Sequence, residues 1–187
     1  MKKLLPVLAM AVLFGACNCS TNKNGSMNDV AAQNKTDMMV FYEQLMNKHN
    51  LGIIDSMVSP DYTSDQVEPG YPPTREGYKK IMSEFFSAFP DLNEKVNFMV
   101  ADSNAVMVQY TLMGTNTAPM MGMPATGKKI NIGGVDIVRI KNHKVVKQWD
   151  YDEEMKMMTQ MGMMPGMGGD SAKGQTPTGG DAKKDKK

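Results

Sequence analysis

The chain has 187 residues, with 21 Lys and Arg against 20 Asp and Glu, a formal net charge of +1, 41% apolar residues and 22% charged ones. That is the size and composition of one globular domain; the balanced charge excludes the basic stripe that a nucleic-acid partner requires, and two cysteines cannot build a disulfide scaffold. Methionine is the outlier, at 21 residues.

Taken from the N-terminus, Lys2 and Lys3 precede the uncharged, mostly apolar run Leu4–Ala16, followed by the small-residue junction Gly15-Ala16-Cys17. A positive start, a short apolar stretch and a small-residue junction describe a signal peptide over 1–16, and the run is shorter than the roughly 20 residues of a membrane span. Phe14-Gly15-Ala16-Cys17 resembles a bacterial lipobox, which predicts Cys17 as the lipidated first residue of an exported, membrane-anchored lipoprotein of the cell envelope, periplasmic or surface. An ordinary cleaved signal, leaving Cys17 and Cys19 as thiols, is the alternative. Loss of residues 1–16 takes two lysines and no acid, leaving 19 basic against 20 acidic residues. Residues 17–33 read as a polar tether, 34–165 as the domain, and the Gly/Lys-rich 166–187 as a tail too poor in apolar residues to offset its ordering entropy.

Within the domain, Met38, Met39, Phe41, Tyr42, Leu45 and Met46 form an i, i+3, i+4, i+7 stripe, which predicts a helix over Asp37–His49. Leu51–Val58 reads as a second short helix ending before Pro60. Thr74 is the expected N-cap of a third, with Tyr78, Ile81, Met82, Phe85 and Phe86 on one face and Pro90 beyond its end. The period then changes to two. Val96, Phe98 and Val100 alternate, as do Val106, Val108, Tyr110 and Leu112, and two more strands cover Ile130–Ile140 and Val145–Tyr151. A last helix, Glu153–Met161, is expected to turn Met155, Met158 and Met161 inward. Helices first and hairpin-linked strands after them mean an α+β fold. Such a sheet, curved around the N-terminal helices, leaves a hollow suited to a small molecule.

Asp136 stands in the row Ile130, Ile132, Val138, Ile140 if its strand runs unbroken. A carboxylate in that row is desolvated and its pKa rises, as a general acid or base near neutral pH requires. A bulge at Gly133-Gly134 would instead turn Asp136 toward water, Arg139 or a lysine. Trp149 is the only tryptophan, at a strand end where it is either core or pocket wall, and the acids Asp150, Asp152, Glu153 and Glu154 follow it. Acids there suit the first turn of a helix. The two histidines, His49 and His143, and the absence of Cys from the domain support neither a zinc site nor nucleophilic catalysis. The clusters Met120-Met121-Gly122-Met123 and Met155–Met167 read either as adaptable packing or as a soft Cu(I) site.

Phe89-Pro90-Asp91-Leu92, Gly114-Thr115-Asn116-Thr117, Gly122-Met123-Pro124-Ala125-Thr126-Gly127-Lys128, Lys144–Trp149 and Gln160-Met161-Gly162 stand in order and at matching spacing. With Asp61-Tyr62 and Arg75-Glu76-Gly77, they resemble the SnoaL-like polyketide cyclases (ester cyclases) of the nuclear transport factor 2-like superfamily over roughly 36–163. The resemblance implies a cone-shaped α+β barrel with a deep pocket, no metal or organic cofactor, and aldol-type ring closure moved by an acidic residue. The family's catalytic acid falls on Glu153, as Glu where Asp is usual; Asp65 and Asn116 stand where the family often has His. Asp136 joins Glu153 as acid/base candidate, and Asn116, Trp149, Tyr110, Asp65 and Phe89 as ligand-binding residues. The implied partners are a small apolar molecule, the membrane through the lipid anchor and a second copy of the chain across the open sheet face. Two functions remain from this reading: a cyclase or isomerase acting on a small apolar carbonyl compound, and a non-catalytic envelope lipoprotein that binds a hydrophobic ligand. Methionine-based Cu(I) binding is the third.

Overall fold

A computed structural model describes residues 23–66 and 69–163. The readings of the leader, of Cys17 and of the tail lie outside the described residues.

Helix α1 (Lys23–Tyr42) runs into a π-helical turn at Glu43–Asn47, and α2 (Gly52–Met57) follows. The helix starts well before the Asp37 expected from the apolar stripe. Asn34, the first residue of the expected domain, is buried and donates from Nδ2 to the Asp102 carbonyl at 2.9 Å. That anchor, together with the burial of Met38, Phe41, Tyr42, Leu45 and Met46, docks the helix on the sheet. Pro60 does not stop the chain but lies in strand β1 (Val58–Thr63), which the sequence reading missed. β1 is an edge strand, where a missing N–H is tolerated.

Helix α3 (Arg75–Ala88) is capped as expected, the Gly77 N–H donating to Thr74 Oγ1 at 3.3 Å. Strands β2 (Asn93–Ala101), β3 (Ala105–Thr115), β4 (Lys129–Lys141) and β5 (Lys144–Asp152) and helix α4 (Glu154–Met161) complete the domain. The sheet order is β1-β5-β4-β3-β2, with β1 parallel to β5 and the other pairs antiparallel. Helices α1, α3 and α4 pack against it, and the core lies between.

Two irregularities decide which side chains face that core. Val96 pairs with Tyr110 but Phe98 with Gln109, so Asn97 is an extra residue in β2. Beyond it the phase reverses: Met99 points inward, and Phe98 and Val100, expected inside, are 53% and 44% exposed. Likewise Ile140 pairs with Val145 and Arg139 with Lys147, leaving Val146 extra in β5. Gln148 is thereby turned inward and Trp149 outward.

The paired glycines carry no bulge: Thr111↔Gly133 and Tyr110↔Gly134 keep register with β3. Gly134 is required by a close approach instead. A Cβ there would stand 2.5 Å from Tyr110 Cζ and 2.3 Å from Asp152 Oδ1, because the Tyr110 ring lies over Gly134 to donate its hydroxyl to Asp152. Asp136 therefore stays in phase with Ile130, Ile132, Val138 and Ile140, all buried. In α4 Met161 is buried and Met158 half-buried, but Met155 is 60% exposed, contrary to expectation.

Candidate functional site

Between the inner sheet face and α1, α3 and α4 lies a cavity of about 460 Å³. Its floor is polar and its upper walls are apolar. Asp136 and Gln148 rise from β4 and β5, Glu94 and Tyr110 from β2 and β3, and Tyr42 comes down from α1. Tyr62 and Tyr78 stack at 5.7 Å on one side. Phe85, Met120, Met123 and Met157 are among the residues that close the apolar part.

Asp136 is 3% exposed. The Tyr42 hydroxyl donates to its Oδ2 at 2.6 Å, and Gln148 Nε2 approaches the same oxygen at 3.3 Å. Oδ1 has no partner. Burial raises the Asp136 carboxyl well above the ordinary carboxylate range, and the neighbouring Asp150 adds to this, while the Tyr42 hydrogen bond works the other way.

Glu94 is the residue that sequence reasoning missed. The bulge at Asn97 leaves it in phase with Val96 on the inner face, and parity with Val96 was the only available signal. Asn47 fixes its backbone: the Glu94 N–H donates to Asn47 Oδ1 at 2.8 Å, and Asn47 Nδ2 donates to the Glu94 carbonyl at 3.1 Å. Its side chain is buried and Oε1 has no partner. Burial, then Asp152 and Asp150, pushes it up from 4.5 to about 8. Asp152 is raised as well, by burial first, although the Tyr110 hydroxyl opposes this. Tyr42, Tyr62, Tyr78 and Tyr110 are all raised, chiefly by burial, and so are neutral hydroxyls.

Of the ligand-binding residues expected from sequence, the structure brings Tyr110 alone to the cavity. Asn116 is buried in its own loop, where Oδ1 accepts the Thr126 N–H at 2.8 Å and Nδ2 donates to Ala118 O at 2.9 Å. Asp65 pairs with Lys147 at 2.6 Å and is solvent-exposed. Phe89 is fully buried core, 5.1 Å from Phe85 between ring centres. Trp149 lies on the outer sheet face, with Lys147 Nζ 5.1 Å above its ring.

Glu153 is corrected as well. It points away from the cavity, accepting the Gly133 N–H at 2.7 Å and the Lys156 ammonium at 2.6 Å. Its carboxyl is held below its ordinary value, first by Lys156 and then by Gly133. The reason is topological. β5 pairs with β4 only as far as Gly134, which leaves the edge from Lys129 to Gly133 open. Helix α4 covers it: Gln160 accepts from the Asn131 N–H at 2.7 Å and donates to its carbonyl at 3.0 Å, and Glu153 takes the next N–H.

The Tyr42 contact gives a direct prediction. Tyr42→Phe removes the donor that favours the charged form of Asp136, so the Asp136 pKa rises further and stability falls by about 1–2 kcal/mol. Infrared titration of the protonated carboxyl band checks the first effect and urea unfolding the second.

The sequence matches the family model for SnoaL-like polyketide cyclases over residues 36–161. Among solved structures, TsrD from Streptomyces laurentii aligns with a TM-score of 0.65 and 20% identity, covering 71% of this chain and 97% of that one. AclR from Streptomyces galilaeus aligns with a TM-score of 0.62 and 24% identity over 72% and 99%, and a SnoaL-like polyketide cyclase from Agrobacterium tumefaciens with 0.58 and 15% over 68% and 97%. At these identities the structural likeness speaks for the fold alone. No curated protein matches the chain. The family match over most of the chain, on a helix-then-strand domain of this topology, places the chain in the SnoaL-like polyketide cyclase family.

Proposed function

We propose that the cavity takes a small apolar carbonyl compound and that Asp136 moves a proton at the carbon next to the carbonyl, as an aldol-type cyclase or isomerase without a cofactor would. The observation that carries this reading is the state of Asp136: buried, raised, with Oδ2 held by Tyr42 and Oδ1 unpartnered. Burial favours the neutral carboxyl in the resting fold; once ionised, this carboxylate, with one oxygen fixed and the other free, is a strong and positioned base. It takes the proton onto Oδ1, and the neutral acid returns it. Tyr42 and Tyr110 commit their hydroxyl protons to Asp136 and Asp152, but the neutral hydroxyls of Tyr62 and Tyr78 on the cavity wall are donors suited to the oxygen on which enolate charge develops.

The test needs no native substrate. In deuterium oxide, 2-tetralone exchanges its α-protons, and NMR follows the loss. The full chain is expected to accelerate this exchange, Asp136→Asn to lose at least 100-fold of the acceleration, and Glu153→Gln to stay within twofold of the parent. An Asp136→Asn variant that exchanges as fast as the parent refutes the assignment. Binding of 2-tetralone without any exchange favours the second reading, a non-catalytic binder of a hydrophobic ligand. That reading draws on the cavity wall itself, which has no Lys, Arg or His among the described lining residues to stabilise an enolate by charge.

The reading extends to location and assembly. Lys2-Lys3, the apolar run Leu4–Ala16 and Cys17 support export and an envelope lipid anchor; a mature N-terminus carrying Cys17 without acyl mass would remove it. The outer sheet face supports a homodimer: Val100, Met107, Ile137 and Trp149 stand in one row across β2 to β5, and light scattering reads the mass.

A further inference from the structure

Once ionised, the buried carboxyls of the cavity present an excess of acceptors that an apolar carbonyl compound cannot satisfy. Glu94 Oε1, Asp136 Oδ1 and Gln148 Oε1 belong to side chains 4%, 3% and 4% exposed, and none of these atoms has a hydrogen-bond partner. All three residues line the cavity, with Asp150, Asp152 and Glu154 also on its wall. Gln148 Nε2 lies between the carboxyls of Asp136 and Asp150, which leaves Oε1 without a partner. Its oxygen therefore remains an acceptor.

Nothing among the described lining residues balances this. Five carboxyl groups stand on the cavity wall and no Lys, Arg or His does. Unpaired buried acceptors cost stability until a donor meets them. The same wall is rich in aromatic faces, with Tyr42, Tyr62, Tyr78, Tyr110 and Phe85, and ring faces attract cations. Acceptors without donors, carboxyls without counter-ions and aromatic faces describe complementarity to one kind of group.

We infer that the ligand of this pocket carries a basic nitrogen, bound as an ammonium against Glu94 and the Gln148 carbonyl with the aromatic walls around its carbon skeleton. The inference deepens the pocket reading above and rests on it. A protonated amine supplies N–H donors to the orphaned acceptors and positive charge to the carboxyls. Asp136 keeps Tyr42 as its donor and stays available for proton movement.

A distinctive consequence follows for protons. Empty, the pocket holds Glu94 near 8, with Asp152 and Asp150 in β5 as the charges that raise it after burial, and Asp136 likewise raised with Tyr42, Asp150 and Glu94 as its charged or polar neighbours. An incoming ammonium stabilises the ionised carboxylate, so binding expels a proton to solvent at neutral pH. A neutral ligand expels none.

Calorimetric titration of the full chain with 2-aminotetralin, cationic at pH 7, and with its neutral counterpart 2-tetralol tests the inference. The amine is expected to bind at least tenfold more tightly than the alcohol. Its heat is expected to vary with the buffer's ionisation enthalpy in the sense of proton release, and Glu94→Gln is expected to weaken the amine at least tenfold while moving the alcohol less than threefold. The buffer dependence is read on the unaltered chain and does not require the variant to fold. Equal or tighter binding of the alcohol, or amine binding with no proton release, overturns the ammonium inference and leaves the pocket reading standing. Failure of amine, alcohol and 2-tetralone alike at millimolar concentration overturns both.

Discussion

Raising the pH from about 5 to about 8 destabilises this protein, with a slope of up to roughly 1.4 kcal/mol per pH unit for each buried acid involved. The direction comes from Glu94. In the unfolded chain it titrates near the ordinary 4.5; in the fold burial, Asp152 and Asp150 push it to about 8. Between those values the folded protein holds a proton that the unfolded chain has lost, so folding takes up a proton. Below about 4.5 both states are protonated and the stability is complete. As pH climbs through 8 the folded state must either ionise a buried, unpaired carboxyl or unfold. Asp136 and Asp152 are shifted the same way and add to the slope. The carboxyls held below their ordinary values, Glu43, Asp55, Glu76, Asp91 and Glu153, sit on the surface and act only in more acid solution.

Urea unfolding at pH 5, 6, 7 and 8 reads this slope. Glu94→Gln, which keeps the shape and removes the titration, is expected to flatten it and to narrow or reverse the variant's disadvantage at pH 8. A stability that holds level or rises between pH 5 and 8 contradicts the burial of Glu94 and Asp136 as neutral acids.

The contrast between Asp136 and Glu94 shows what the sequence could carry. Asp136 was legible because β4 is long and its apolar partners alternate without interruption across it; the doubt attached to Gly133-Gly134 dissolved because those glycines serve Tyr110 rather than a bulge. Glu94 shares the parity of Val96, Phe98 and Val100, and was missed because the apolar alternation begins only at Val96. The extra residue Asn97, whose Nδ2 donates to Thr111 Oγ1 at 2.8 Å, breaks that row, and nothing local announces it. Val146 does the same for Trp149 in β5 and exchanges it for Gln148 at the pocket floor. Period-two counting assumes an unbroken ladder. It succeeds where a strand is paired on both sides in register, and fails where one extra residue is absorbed by the pairing partner.

The resemblance carried the fold and family but not the site, for a related reason. The resemblance implied Glu153 as the acid, yet in this chain the helix after β5 serves to cover an open strand edge, and that is what Glu153 and Gln160 do. Asn116 and Asp65, which the resemblance set where histidines are usual, are taken up by loop and surface contacts. The buried polar groups of the cavity, Glu94, Asp136 and Gln148, lie instead on the inner faces of β2, β4 and β5.

Gly77→Ala is expected to destabilise the domain by about 3 kcal/mol, against the usual direction of that change. In a helix interior alanine is normally favoured over glycine by about 1 kcal/mol, so propensity alone predicts a gain. Here a Cβ would stand 1.9 Å from the Pro72 carbonyl oxygen and 3.0 Å from its carbonyl carbon. Both are backbone atoms, and no rotamer change can remove them. Relief requires the 71–73 segment to move away from the first turn of α3, and Tyr71, Pro72 and Pro73 form part of the cavity wall with Gly77 itself. The Thr74 cap on the Gly77 N–H would be disturbed as well. The loss of stability therefore comes with a loss of ligand binding larger than the change in folded fraction explains, because the wall shifts even in the molecules that remain folded. Urea unfolding gives the first quantity, and titration of the folded variant with 2-tetralone gives the second. A Gly77→Ala protein as stable as the parent would show that the chain keeps Pro72 farther from α3 than this packing requires.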